Sequence, residues 1–369
     1  MKGSIFKKNN AWNYRVDIGI DPQTGQRKRK SKGGFRTKAE AQAALAEILN
    51  KVNSGTFIEE TKMTVDKYLD YWIEAYCIGN LAPSTLKRYN ELCNTIKKHL
   101  GKANLATLQP IEIQSFYNRL LDEGDLSAAT ILKVHRVFHT AYKHAYAWRL
   151  TSTIPTTAAT PPRPVKSEFS VWDSEEATLF LDKIKEHNIY IAILLALQTG
   201  MRLGEILALK WDNVNILGKT LTVRNSLSLI KKEIIIKKPK TASSVRTIAL
   251  MDTTVNELKK VRKKQLELKL SKGLEYEYVC LWDDDARHML PDYVSKTFQK
   301  LIKKYNFKRI RFHDLRHTHA TLLLQQGVHP KIVSERLGHS NISMTLDIYS
   351  HVLPNMQLEA VKKLENIFN

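Results

Sequence analysis

Cysteine is nearly absent from the 369-residue chain: Cys77, Cys93 and Cys280 are odd in number and scattered. A disulfide framework is excluded, and a reduced, cytoplasmic setting is expected. No long apolar run occurs either. The longest, Ile189 to Leu197, falls far short of the roughly 20 residues a bilayer helix requires, so no membrane partner is expected. Met1-Lys2-Gly3-Ser4 leads into a polar, basic segment without the apolar core of a signal peptide. No Gly-x-x-x-x-Gly-Lys-[Ser/Thr] loop is present, which argues against a nucleotide-driven motor or kinase of that type. Acidic residues are also in short supply, 37 Asp and Glu against 58 Lys and Arg, for a formal charge of +21.

That charge runs along the whole chain rather than sitting in a tail. It predicts a polyanionic partner, because each phosphate neutralised by a side chain releases condensed counterions. The length suits two or three domains. Residues 1–60 carry twelve Lys and Arg against six Asp and Glu. Strand-like stretches at Ser4–Lys8, Trp12–Ile20 and Arg27–Ser31, separated by turn signals, precede a helix over about Thr37–Val52. The expected unit is a small three-stranded sheet backed by one helix. Its Arg27, Lys28, Arg29 and Lys30 read either as a basic sheet face for a DNA groove or as a solvated charge run.

From Thr64 to Trp148 the pattern is wholly helical. Val65, Tyr68, Leu69, Trp72 and Tyr76 form one stripe, and Leu86, Tyr89, Cys93, Ile96 and Leu100 another. The polar faces are basic, with Lys87 and Arg88 on one helix and Lys133 and Arg136 on another, which fits a helical DNA clamp or a soluble bundle. Between 151 and 168 the composition turns to Thr, Ala and Pro, predicting an extended linker between a 61–150 domain and a 169–369 domain. In the latter, helices flank a β-rich insert over Thr220–Leu250.

Four patterns in this last domain carry chemistry. In Thr199-Gly200-Met201-Arg202-Leu203-Gly204-Glu205 one helix stops at a glycine and another begins, placing Arg202 beside a sharp turn. Its guanidinium suits a phosphate, and a structural bridge to Glu205 accounts for it equally. In His313-Asp314-Leu315-Arg316-His317 a spacing of three sets His313 and Arg316 on one helical face, with Asp314 as the expected cap. The His313/His317 spacing would also suit zinc, but the Glu of a His-Glu-x-x-His site is missing. In Leu337-Gly338-His339, Gly338 ends a helix opened by Pro330. Tyr349 follows ten residues after His339. Alone, each of the last two reads as a surface histidine or a packed tyrosine.

Together, the order Arg, His-x-x-Arg, Gly-His, Tyr resembles the tyrosine recombinase (phage integrase) family. Residues 1–60 are similar to the arm-binding domain of phage and conjugative-transposon integrases, and 61–150 to their core-binding domain. The resemblance implies a mainly α multidomain chain with a small β-sheet-plus-helix N-terminal domain, a helical core-binding domain and an α+β catalytic domain. It implies Tyr349 as nucleophile, Arg202 and Arg316 on the non-bridging phosphate oxygens, His339 as a further donor, His313 in proton transfer and Glu205 orienting Arg202. The lysine that protonates the leaving 5′-oxygen is assigned to Lys240 in Pro239-Lys240-Thr241, with Lys237 and Lys238 close by in sequence. The partners implied are duplex attachment sites, a homotetramer on DNA, and DNA-bending accessory proteins or an excisionase; no cofactor or metal is implied. The tail stripe Leu358, Val361, Leu364 and Phe368 would pack on a neighbouring protomer or on its own domain. Rival readings are a type IB topoisomerase, a chromosome-dimer resolvase and a catalytically silent DNA-binding regulator.

Overall fold

The computed structural model describes residues 3–20, 25–54, 57, 61–124, 126–165, 170–230, 233–237, 245–338, 361 and 365. The chain divides into two compact units, Met1–Lys166 and Ser167–Asn369. The first opens with strands β1 (Gly3–Lys8), β2 (Ala11–Ile20) and β3 (Arg27–Phe35), antiparallel in that order, followed by helix α1 (Lys38–Asn53). Asn9 and Asn10 both take positive φ, 49° and 57°, the tight turn whose twist suits a two-residue hairpin. Strand alternation turns Tyr14 and Val16 toward Leu45 in a small apolar cluster. The Thr37 hydroxyl accepts the Glu40 backbone N–H at 3.2 Å and so starts α1.

A helical body follows. Helix α2 (Val65–Trp72) runs through a π-helical turn at Ile73–Cys77 into the short α3 (Ile78–Asn80), then α4 (Pro83–Leu100), α5 (Pro110–Asp122) and α6 (Ala128–Ala147). The π turn departs from the uniform α spacing expected of this stretch. Its extra residue rotates the register, so Cys77 takes the buried place after Trp72 and Tyr76 stays half-buried. Proline at the start of α4 and α5 costs no hydrogen bond there. Trp72, Tyr68, Phe116, Tyr117, Phe138 and Tyr142 fill the core, each contributing about 1.5–3 kcal/mol by burial. The buried Tyr68 and Tyr142 hydroxyls donate to the Ala141 and Leu105 carbonyls, at 2.6 and 3.1 Å.

The expected linker is not extended throughout. Thr151, Pro155, Thr156 and Ala159 are buried. The Thr156 hydroxyl meets His139 Nδ1 at 2.9 Å, and Gln114 bonds the backbone of Thr160 on both sides. Threonine hydroxyls and a proline-led 3-10 turn, Pro155–Thr157, give this segment a way to pack that its composition does not announce.

The second unit contains α7 (Ser174–Lys183), α8 (Tyr190–Thr199), α9 (Leu203–Leu207), strands β4 (Val214–Asn215), β5 (Thr220–Val223), β6 (Ser226–Ile230), β7 (Glu233–Lys237) and β8 (Arg246–Ala249), then α10 (Asp252–Lys272), α11 (Pro291–Lys304), α12 (Asp314–Gln325) and α13 (Pro330–Leu337). Strands β4, β5 and β8 form one sheet and β6 and β7 a hairpin. Asp173 and Glu176 exchange side-chain bonds to each other's backbone N–H and cap α7. Helix α8 is apolar on nearly every side, and nearly all of it is buried, which makes it the central strut of the unit. Among the described residues no helix is long and apolar enough to cross a membrane.

Candidate active site

Helix α8 ends where Gly200 turns left-handed, φ +67°. A Cβ there would lie 2.6 Å from Leu337 Cδ2 and 2.8 Å from His319 Cδ2, so glycine is required for space as well as conformation. Two residues on, Arg202 starts α9. Its backbone N–H donates to Glu205 Oε2 at 3.0 Å and its Nη1 to Glu205 Oε1 at 2.9 Å. The Arg202 side chain is 37% exposed and that of Glu205 only 5%. The carboxylate is therefore the buried anchor and the guanidinium the group that reaches outward. The expected bridge from Arg202 to Glu205 is present, and the guanidinium remains partly exposed beyond it.

Helix α12 supplies the second half. Arg316 is buried and its Nη1 donates to the carbonyl of Gly200 at 2.8 Å, across 116 residues of sequence. His313 immediately precedes the helix. Desolvation and then the Arg316 and Arg202 charges hold its pKa below the ordinary imidazole value, which places all three groups within electrostatic reach. Asp314 does not cap α12 as expected. Its carboxylate points back and accepts from the Arg311 backbone N–H at 2.7 Å and from the Arg311 guanidinium. Burial pushes that carboxyl up, but these bonds outweigh it and hold the pKa low. The rings of His313 and His317 stand edge to face at 5.2 Å. Among the described residues no group of three or more His, Cys, Asp or Glu could hold a metal ion.

Two arginines for which no role was expected complete the surroundings. Arg246, at the start of β8, is buried and grips Glu205 with Nη2 on Oε2 at 2.8 Å and Nη1 on Oε1 at 3.3 Å. Burial raises the Glu205 carboxyl, yet Arg246, with Arg202, more than compensates and leaves its pKa lowered. Arg336, in α13, donates from Nε to His319 Nε2 at 3.1 Å, while His319 Nδ1 meets the Leu197 carbonyl at 2.7 Å. This pairing requires a neutral ring with its proton on Nδ1, and burial followed by the Arg336 charge depresses the His319 pKa to about 4. Arg246 carried a sequence signal: alternation in Arg246-Thr247-Ile248-Ala249 puts it on the same inward face as Ile248. Arg336 carried none, because a helical arginine at that spacing reads as solvated.

Of the residues expected to act, the structure brings together Arg202, Glu205, His313 and Arg316. Lys240, His339 and Tyr349 lie outside the described residues, as do Lys238 and the tail's Leu358, Leu364 and Phe368. The stretch with Lys240 joins β7 to β8, which belong to different sheets. Arg27, Lys28 and Arg29 are exposed along β3, and Lys30 is half-buried with Nζ over the Phe57 ring at 5.2 Å. Lys87 and Arg88 are exposed on α4, where Arg88 pairs with Glu91 at 3.0 Å; Lys133 and Arg136 are exposed on α6.

Comparison with known proteins gives this arrangement a family. The description Phage integrase family matches residues 171–356, about half of the chain; Arm DNA-binding domain matches 4–52; and Phage integrase, N-terminal SAM-like domain matches 64–121. A tyrosine recombinase XerC-like protein of Caldanaerobacter subterraneus subsp. tengcongensis is 31% identical, covering 100% of this chain and 99% of its own. The ICEBs1 integrase of Bacillus subtilis is 26% identical over 99% of this chain and 100% of its own. In fold, the chain is similar to the Tn1549 transposon integrase in complex with a circular intermediate DNA, with TM-score 0.71, 23% identity, and coverage of 82% of this chain and 99% of that one. It is also similar to a lambda integrase tetramer bound to a Holliday junction, with TM-score 0.60, 19% identity, and coverage of 93% and 94%. The chain belongs to the phage integrase family of tyrosine recombinases.

Proposed function

We propose that this recombinase is the integrase of a mobile genetic element and that Tyr349 is its nucleophile. The tyrosyl oxygen attacks a DNA phosphorus, the P–O5′ bond breaks, and the enzyme is left on a 3′-phosphate. The 5′-oxygen takes a proton from Lys240. A second 5′-hydroxyl then attacks the phosphotyrosine and restores the diester by way of a Holliday junction, so bond energy is conserved in the covalent intermediate. Arg202 and Arg316 stabilise the charge that builds on the non-bridging oxygens, with His339 as a further donor. A fixed donor of this kind is worth roughly 10²–10³ in rate. His313, kept neutral at pH 7 by its depressed pKa, is able to accept a proton beside the nucleophile.

The observation that supports this reading is the tie from Arg316 to the carbonyl of Gly200, two residues before Arg202, together with the Arg316 and Arg202 charges that both lower the His313 pKa. Relatives on mobile elements, including the ICEBs1 integrase and the transposase from transposon Tn916 of Enterococcus faecalis, support the biological role. The lambda integrase tetramer on a Holliday junction supports a tetramer here, with duplex attachment sites as substrate. The domain limits 1–60, 61–150 and 169–369 are part of the same proposal. So are DNA contacts from Arg27 to Lys30, Lys87, Arg88, Lys133 and Arg136, a cytoplasmic setting, and accessory DNA-bending proteins.

The test is a duplex from the element's ends, nicked just past the cleavage point so that the freed fragment diffuses away. An adduct that survives SDS in the presence of EDTA and disappears in Tyr349→Phe is the expected result. Specific DNA binding without any adduct, even with accessory proteins added, would return the chain to the regulator reading.

A further inference from the structure

Resting on that catalytic reading, we propose that Arg246 is a positioning residue for the strand-cleavage step, holding Glu205 in place and offsetting its charge so that Arg202 is oriented without being neutralised. Glu205 has one oxygen on Arg202 Nη1, but Arg246 lies on both of its oxygens. The Arg246–Glu205 pair is almost fully buried, with side chains 6% and 5% exposed, whereas Arg202 reaches outward. A carboxylate paired with Arg202 alone would cancel the positive charge a phosphate needs. With Arg246 as its counter-ion, the same carboxylate steers the Arg202 fork and leaves one net positive charge in the triad.

Arg246 also reaches the other end of the site. Its Nε donates to the carbonyl of Arg336 at 2.8 Å, in the last turn of α13, and its Cδ would stand 3.0 Å from a Cβ on Gly338. Arg336 returns the bond, from Nη1 to the Ala249 carbonyl of β8 at 3.1 Å, and adds Nη2 to the Gln198 carbonyl of α8 at 3.0 Å. Strand β8 follows the stretch carrying Lys240, α13 runs in sequence into His339, and α9 opens at Arg202. One guanidinium therefore touches or belongs to the elements leading to three of the expected active groups. Its fork geometry is what permits this: two donors face the carboxylate while Nε points to the carbonyl, an arrangement lysine cannot reproduce.

The test measures single-turnover cleavage of the nicked duplex by wild type, Arg246→Lys and Arg246→Gln at saturating DNA, with DNA affinity and thermal unfolding measured alongside. The expected result is folded variants with DNA Kd close to wild type and cleavage slowed about 10- to 100-fold, the scale of a misplaced catalytic group. Arg246→Gln should lose more than Arg246→Lys, because it leaves Glu205 free to neutralise Arg202. Low guanidinium added to Arg246→Ala should restore part of the rate. Wild-type rates in folded variants, or a loss confined to DNA affinity, would overturn the proposal. Unfolding of both the Lys and Gln variants would also overturn it, by making Arg246 a stability residue. If wild type itself forms no adduct, it is the catalytic reading that fails, and the two failures stay distinct.

Discussion

His319 is a histidine whose surroundings forbid its charge. With Nδ1 on the Leu197 carbonyl and Nε2 accepting from Arg336, protonation would set two cations against each other in a buried site. Its folded pKa of about 4 lies below the ordinary 6.5, so between those values the unfolded chain binds more protons than the folded one. Stability is therefore complete above about pH 6.5 and falls as pH drops toward 4. His319 contributes roughly 2–3 kcal/mol to that loss. His317, also held near 4 by burial and then by His313, adds to it in the same window. Thermal unfolding of the second unit followed from pH 7 to 4.5 should show this slope. His319→Gln, whose amide keeps one donor and one acceptor, should flatten it at some cost in stability at pH 7; an unchanged slope would mean the ring titrates elsewhere. Arg316→Ala should lower the single-turnover cleavage rate by roughly 10²–10³. An Arg316→Ala protein that cleaves normally would take the arginine out of the chemistry.

Element boundaries were the most legible feature of the sequence, because they depend on neighbours a few residues apart. Thr37 before α1, Pro330 opening α13, and Gly200 and Gly338 ending α8 and α13 all stand where capping and left-handed backbone chemistry put them. The π turn at Ile73–Cys77 was not legible, since it depends on how Cys77 and Trp72 seat in the helical core rather than on local preference. Nor was the packing of 151–160, where the buried Thr156 hydroxyl meets His139 on α6 and the Thr160 backbone pairs with Gln114 on α5. Gly200 supplies the sharpest test at this scale. Gly200→Ala places a methyl in left-handed backbone, costing about 1–2 kcal/mol, and drives it into Leu337 and His319. The unfolding temperature should fall by at least about 2 °C, at about 2–4 °C per kcal/mol in a unit of this size. Gly273→Ala, also left-handed but with open space around the added methyl, should fall less. Equal losses would show that conformation alone, without the close approach, governs Gly200.

At the scale of the molecule, the excess of basic residues should make DNA affinity fall steeply with salt. Each phosphate contact removed should reduce the slope of log K against log salt by about 0.9. Replacing Arg27, Lys28, Arg29 and Lys30 together by Gln should lower that slope for arm-site DNA while leaving core-site affinity unchanged. A slope that does not move would make the tetrapeptide a solvated run. The sequence by itself determined the charge, the order of elements, the turns that stop them and the spaced Arg, His-x-x-Arg, Gly-His and Tyr pattern. Only the tertiary structure decided that Arg316 would reach the Gly200 carbonyl, and that Arg246 and Arg336 would turn inward to lock β8 to α13. The physical reason lies in α8. A helix apolar on almost all sides carries no stripe to say which face meets which neighbour, so the pairing of α8 with α12, and every long-range bond that depends on it, is settled by packing alone.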